Sequence, residues 1–239
     1  MKVGKSTSLP TSMYKWTMPS LSTSEISSEL KGIPSGICAP TAATDEVLYS
    51  GYKNRRGLIP TSYGNFPLST SCKIAEKLIR NMNTSSSGTT IEGFIEGIKK
   101  YVRDSHYKIK VIWIGHFYQG AERLVDETDI DLIMEKTIGS WNSVLWTGEY
   151  KYDSKRHAYV RKTGHAVAIA GFNTGFNELL VHDPARSDKP VYLKLSQLEG
   201  IKIVDLPEDG LYTFRANSTE RNGKVLKIIE GAVSFEITR

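Results

Sequence analysis

Gly164-His165-Ala166-Val167-Ala168-Ile169-Ala170-Gly171-Phe172 is a nearly continuous apolar run opened by a histidine and closed by a glycine–aromatic pair. Its length and lack of alternation predict a central strand buried on both faces. Toward the C-terminus, the turn residues of 171–177 lead to the strand candidate ELLVHDP (178–184), and then to PVYLKLSQL (190–198). LYTFRA (211–216), KVLKII (224–229) and AVSFEITR (232–239) are three further short strands separated by turn residues. In the other direction lie SVLWTGEYKYD (143–153), a helical stretch from Asp129 to about Ser140, and KIKVIWIG (108–115), which alternates like a strand and ends on glycine.

Before residue 105 the pattern turns helical. Thr89 with Glu92 makes a capping box for a helix through Tyr101, with Ile91, Phe94, Ile95, Ile98 and Val102 as its apolar stripe. Cys72–Asn81 predicts a second helix with Ile74, Leu78 and Ile79 inward. Ala39, Ala42, Ala43, Val47 and Leu48 predict a third from Cys38 to about residue 50. Pro40 fits only the first turn of that helix, which places Cys38 at its N-terminus. Ser50–Thr70, with two prolines, three glycines and adjacent arginines, predicts an irregular loop. Residues 1 to about 35, rich in Ser, Thr and Pro, predict an extended surface arm rather than regular structure. Helices in the first half and strands in the second are the distribution of a single α+β domain, with residues 200–239 as additional C-terminal strands.

The 239 residues, 39% of them hydrophobic, suffice for a sizeable core. Net charge is only +5 from 31 basic and 26 acidic residues. The basic pairs Arg55-Arg56, Lys99-Lys100 and Arg161-Lys162 are scattered, so the chain carries no nucleic-acid footprint. No apolar run reaches the length of a membrane span. The first sixteen residues lack the apolar core of a signal peptide. A mature exported chain would look the same, so compartment stays open. Asn83-Thr84-Ser85 and Asn217-Ser218-Thr219 match a glycosylation sequon, which matters only in a eukaryotic secretory setting.

Two cysteines are too few for a disulfide framework. A thiol becomes a nucleophile as its thiolate, which a helix N-terminus and a nearby imidazolium both favour. Cys38 meets the first condition locally. His165, flanked by Gly164 and Ala166, stands at the entrance of a buried strand and is the candidate base; Asp183, at the end of the next strand and stiffened by Pro184, is the candidate to orient it. Each has a bland alternative: Cys38 and His165 as satisfied core residues, Asp183 as a turn cap. Cys72 reads as core. His182 should point to the face opposite Asp183. His106, His116 and His157 lack ligand spacing, so neither metal nor cofactor is expected.

These residues resemble the C39-like branch of the papain-like cysteine peptidases, which includes bacteriocin leader peptidases. The likeness rests on Cys38-Ala39-Pro40-Thr41-Ala42-Ala43, on Gly164 to Phe172, and on Val181-His182-Asp183-Pro184, in that order, 127 and then 18 residues apart. It extends from about residue 33 to 195 and includes the helix that begins near Gly88-Thr89-Thr90. The resemblance implies a papain-like fold, peptide or protein substrates, and a Cys38–His165–Asp183 triad. Two departures stand out. Ala39 replaces the family's glycine, and Lys31–Ile37 lacks the glutamine that would help hold the oxyanion. The Cys38 amide supplies one donor, with Ser35 or a loop amide as the candidate second; a lost donor costs on the order of 3 kcal/mol in the transition state. Three readings follow: a hydrolase, an acyltransferase in which an amine resolves the thioester, and a binding module that has lost catalysis.

Overall fold

The computed structural model describes residues 12–15, 21–53, 56–59, 67–138, 140–186, 190–208, 210–216 and 225–239. The fold has a helical layer and an antiparallel β-barrel. The helices are α1 (Thr23–Glu29), α2 (Cys38–Tyr52), α3 (Leu68–Asn81), α4 (Ile91–Asp104) and α5 (Ile130–Ile138). The strands are β1 (Ser12–Tyr14), β2 (Lys108–Gly115), β3 (Arg123–Val125), β4 (Trp141–Asp153), β5 (Ala158–Asn173), β6 (Glu178–His182), β7 (Val191–Leu198), β8 (Leu211–Ala216) and β9 (Val225–Thr238). Each strand from β5 to β9 pairs with the next, and β4 pairs with both β9 and β5, which closes a six-stranded ring. β1 is added beside β5, and β2 with β3 beside β9.

The alternating sides of β5 separate two cores. Ala166, Ala168 and Ala170 face the helical layer, where small side chains let α2 lie close against the sheet. Val167 and Ile169 face the barrel interior with Leu145, Val181, Leu193 and Ile229, and α5 packs on that same cluster. Helix α2 is buried on nearly every side, so its polar residues need partners inside. The hydroxyls of Thr41 and Thr44 donate back to the carbonyls of Ile37 and Pro40, each at 2.8 Å. Glu46 accepts from Lys15 Nζ at 2.8 Å and from the Ser143 amide at 3.2 Å. Asp45 Oδ1 accepts from the Leu21 amide at 3.2 Å, while Oδ2 is buried without a hydrogen bond. Two neighbouring carboxylates of α2 therefore hold residues 15 and 21 of the N-terminal segment.

That segment corrects the expectation of an arm without regular structure. It contains β1 and α1, whose N-terminus is a capping box between Ser22 and Glu25. Only Ile26 of α1 is buried, so the apolar signal that marks a helix was nearly absent. Its Thr23 amide donates to the Pro184 carbonyl at 2.8 Å, which ties the segment to the loop after β6. Other boundaries shift. The cap of α4 is Thr90, whose hydroxyl accepts from the Gly93 amide at 3.0 Å, while Thr89 bonds Thr84. Helix α3 starts four residues before Cys72, at Leu68. Within Ser50–Thr70 a short 3-10 turn spans residues 56–58, and residues 54–55 and 60–66 lie outside the described residues, as do Arg55 and Asn217.

The two strands expected at 224–229 and 232–239 are one continuous strand, β9. Gly231, at φ +152, and a register shift opposite Trp146/Thr147 let it bend without ending. The bulged residue, Glu230, turns inward and accepts from Tyr150 Oη at 2.7 Å and from Arg161 Nε at 2.5 Å. The strands beyond residue 200 complete the barrel: β8 joins β7 to β9, and β9 joins β4. Among the described residues no helix is long and apolar enough to cross a membrane.

Candidate active site

Cys38 is the first residue of α2 and half-buried at the seam between the helical layer and the barrel. Amides in the first turn of a helix have no intrahelical acceptor and point their partial positive charge outward. The loop before it is shaped by contact: a Cβ at Gly36 would fall 2.5 Å from the Gly88 nitrogen and 2.9 Å from the Ser85 carbonyl oxygen. Glycine at 36 thus lets this loop pass directly over the 85–88 turn. Ser35 lies in the same loop and is exposed.

His165 pairs with Thr147 across β4 and β5, and Thr147 Oγ1 donates to its carbonyl at 3.3 Å. Its Nε2 lies 2.6 Å from Asp183 Oδ1. Cys38 and the His165 ring are coupled electrostatically, each shifting the other's titration, and with Nε2 committed to Asp183 the Nδ1 edge is the one left to face the sulfur. The register explains the approach: Ala168 pairs with His182, so Asp183 falls near Val167 and its side chain shares a face with that of His165. His182 alternates to the other side and is buried. The structure therefore brings together the three residues chosen from sequence. It also shows that the turn-cap alternative for Asp183 is not exclusive, because the same Oδ1 accepts from the Ala185 amide at 2.9 Å.

The electrostatics favour a charged pair. Burial alone would raise the Cys38 thiol; hydrogen bonding and attraction to His165, with the amides of Ala166 and Ala39 pointing at the sulfur, overcome it and hold the thiol below its usual 9.0. Burial alone would lower the imidazole, but hydrogen bonds to Asp183 and Cys38 lift it to about 9. Asp183 is likewise held below the usual carboxylate range: burial opposes, and the His165 ring, then the Ala185 amide, prevail. These directions favour the thiolate–imidazolium form of the pair over the neutral one. Cys72, by contrast, is buried and free, and burial followed by the charges of Glu29 and Glu25 pushes its thiol up.

Sequence reasoning did not find the Ala166 amide as a partner of the sulfur, nor the cavity beside the ring. The first is implied by its position after the histidine. The second depends on barrel closure, which no local pattern announces. Among the described residues no group of three or more His, Cys, Asp or Glu is placed to hold a metal ion.

No protein-family model matches the sequence, and no curated protein matches it. Among solved structures it is similar to xylellain, a cysteine protease from Xylella fastidiosa, at 12% identity, over 97% of this chain and 87% of that one, with a TM-score of 0.37. That likeness is too slight to bear on fold or function.

Proposed function

We propose that this protein is a papain-like cysteine peptidase or amidase of the C39-like type, with Cys38 as nucleophile, His165 as its acid–base partner and Asp183 as the residue that orients the ring. The observation that carries the reading is an imidazole held at 2.6 Å by a carboxylate and coupled electrostatically to a thiol at a helix N-terminus. The Cys38 thiolate attacks the carbonyl of a peptide or other amide. His165 gives its proton to the departing nitrogen as the C–N bond breaks, leaving a thioester. Water, deprotonated by the same ring, then attacks the thioester and frees the thiol. The developing oxyanion would be met by the Cys38 amide, with Ser35 or an amide of its loop as second donor.

The test is formation of an acyl-enzyme from a small activated ester, followed by intact mass spectrometry. Acylation on Cys38 that is lost in Cys38→Ala supports the reading. A folded protein that is never acylated at Cys38 overturns it and leaves the rival reading, a binding module on the same fold, which the missing glutamine before Cys38 favours. Release of the acyl group only to amines, never to water, would move the assignment to an acyltransferase.

A further inference from the structure

The barrel is open at the end where His165 and Asp183 stand. A cavity of about 220 Å³ enters it there, and every strand of the ring contributes to its wall: Thr147 of β4, Thr163 of β5, Val181 of β6, Leu193 of β7, Phe214 of β8 and Lys227 of β9. Val167 joins Val181 and Leu193 in an apolar floor continuous with the barrel core, and Phe214 packs against that cluster. Gly148 and Gly164, which pair across β4 and β5, also line it; where a Cβ would stand, Gly148 is covered by the Glu230 and Tyr150 side chains and Gly164 by the Arg161 guanidinium. Charges at the rim are of both signs, Glu149 and Asp183 against Arg186 and Lys227, so the rim itself selects neither acid nor base.

This cavity lies on a particular side of the chemistry. One ring nitrogen of His165 serves the sulfur, and the opposite edge, Nε2, meets Asp183, which is itself in the cavity wall. In acyl transfer to a thiolate, the nitrogen that departs must sit over the imidazole that protonates it. The substituent on that nitrogen then continues past the ring, away from the sulfur and toward the barrel mouth. We infer that the barrel mouth is a side-chain pocket for the residue on the leaving-group side of the scissile bond, and that it selects a neutral apolar side chain of leucine or phenylalanine size. A cavity of about 150 Å³ with apolar walls already accepts a benzene ring, so the space is adequate. The inference rests on the cysteine-hydrolase reading above and adds to it the substrate class and the residues that would choose it.

The experiment runs the leaving-group step in reverse and needs no natural substrate. The full chain is acylated with p-nitrophenyl acetate, and leucine, phenylalanine, glycine or aspartate amide is added to compete with water. The amine attacks the thioester carbonyl, the C–S bond breaks, the amine's proton passes to the His165–Cys38 pair, and an N-acetyl amide is released. The ratio of N-acetyl product to acetate is measured by mass spectrometry. Because each ratio is taken on a preformed acyl-enzyme, differences in acylation rate cancel. Leucine and phenylalanine amides should capture the acetyl group about tenfold better than glycine amide, as expected for burying one apolar side chain. Thr163→Trp, at the exposed rim, should plug the mouth and bring the ratios to within about twofold of each other. Phe214→Ala, which widens the pocket, should shift preference from leucine toward phenylalanine and tryptophan amides, and it serves if Thr163→Trp does not fold. Efficient acylation with equal capture of all amines, or ratios that neither variant changes, overturns the pocket. Failure of Cys38 to acylate at all overturns the hydrolase reading instead, and the pocket with it.

Discussion

Replacing His165 by alanine tests the charged pair directly, through the rate at which Cys38 reacts with iodoacetamide. Three influences act on the sulfur: burial, which raises its pKa and is the largest, the His165 ring, and the amides of Ala166 and Ala39. Removing the ring leaves burial opposed only by two amides, so the thiol returns to about its ordinary 9.0 or above. At pH 7 a thiol of pKa 9 is about 1% thiolate. In the wild-type protein the ring is lifted to about 9, so the imidazolium that sustains the thiolate persists through neutrality. Alkylation follows the thiolate fraction, tempered by the lower nucleophilicity of a less basic sulfur. His165→Ala should therefore slow alkylation at pH 6–7 by about tenfold or more. The wild-type profile should level at a lower pH than that of the variant, which climbs about tenfold per pH unit until it levels in the ordinary thiol range or above. Peptide mapping separates Cys38 from Cys72, whose buried thiol is pushed up and should stay slow in both proteins. Superimposable profiles for the two proteins would refute the pair.

Three further expectations follow from other contacts. Asp183→Asn keeps an acceptor beside His165 but loses the charge that helps raise the ring; turnover should fall by roughly 10²–10⁴, and the high-pH limb of the Cys38 alkylation profile should move down by about one unit. An unchanged limb would detach Asp183 from the ring. Asp45 is fully buried with Oδ2 unbonded, and burial, with the charges of Glu46 and Glu25, raises its pKa well above the usual value despite the Leu21 amide. An acid whose folded pKa is raised loses stability as pH climbs from its unfolded value through the folded one. Asp45→Asn should thus stabilise at pH 7 by about 1–3 kcal/mol, roughly 2–4 °C in melting temperature per kcal/mol, with the gain vanishing toward pH 4; thermal melts across that range check it, and a gain independent of pH would contradict it. Gly36→Ala drives a methyl into the Gly88 backbone, so it should cost about 1–3 kcal/mol in denaturant melts and slow Cys38 labelling; an unaffected melt would show that the 85–88 turn moves freely.

Where local chemistry determines structure, the sequence is informative. Pro40 can only stand in a first turn, so the start of α2 follows from its position, and with it the place of Cys38. The run from Ala166 to Phe172 is buried as its composition requires, with His165 half-buried at its start. Asp183 reaches the ring because a hairpin aligns β5 and β6, which the turn residues between them announce. Elements sustained by single buried residues or by distant partners are not legible in this way. Helix α1 rests on Ile26 and its capping box, and β9 reads as two strands until β4 and β2 hold both halves of it. The role of residues 200–239 is similarly non-local, because β8 and β9 make sense only once the ring closes, and the cavity beside His165 exists only as a result of that closure.

The strand pairings also bear on how copies of this chain behave toward each other in concentrated solution. Within the described residues, the strands that end the sheet order are β1 and β3, each three residues long, and β3 opens with Arg123. Short margins, one of them opened by a charge, offer few free amides and carbonyls for a neighbour to zip onto. The nine strands among the described residues therefore present little open edge on which a neighbouring copy could extend the sheet.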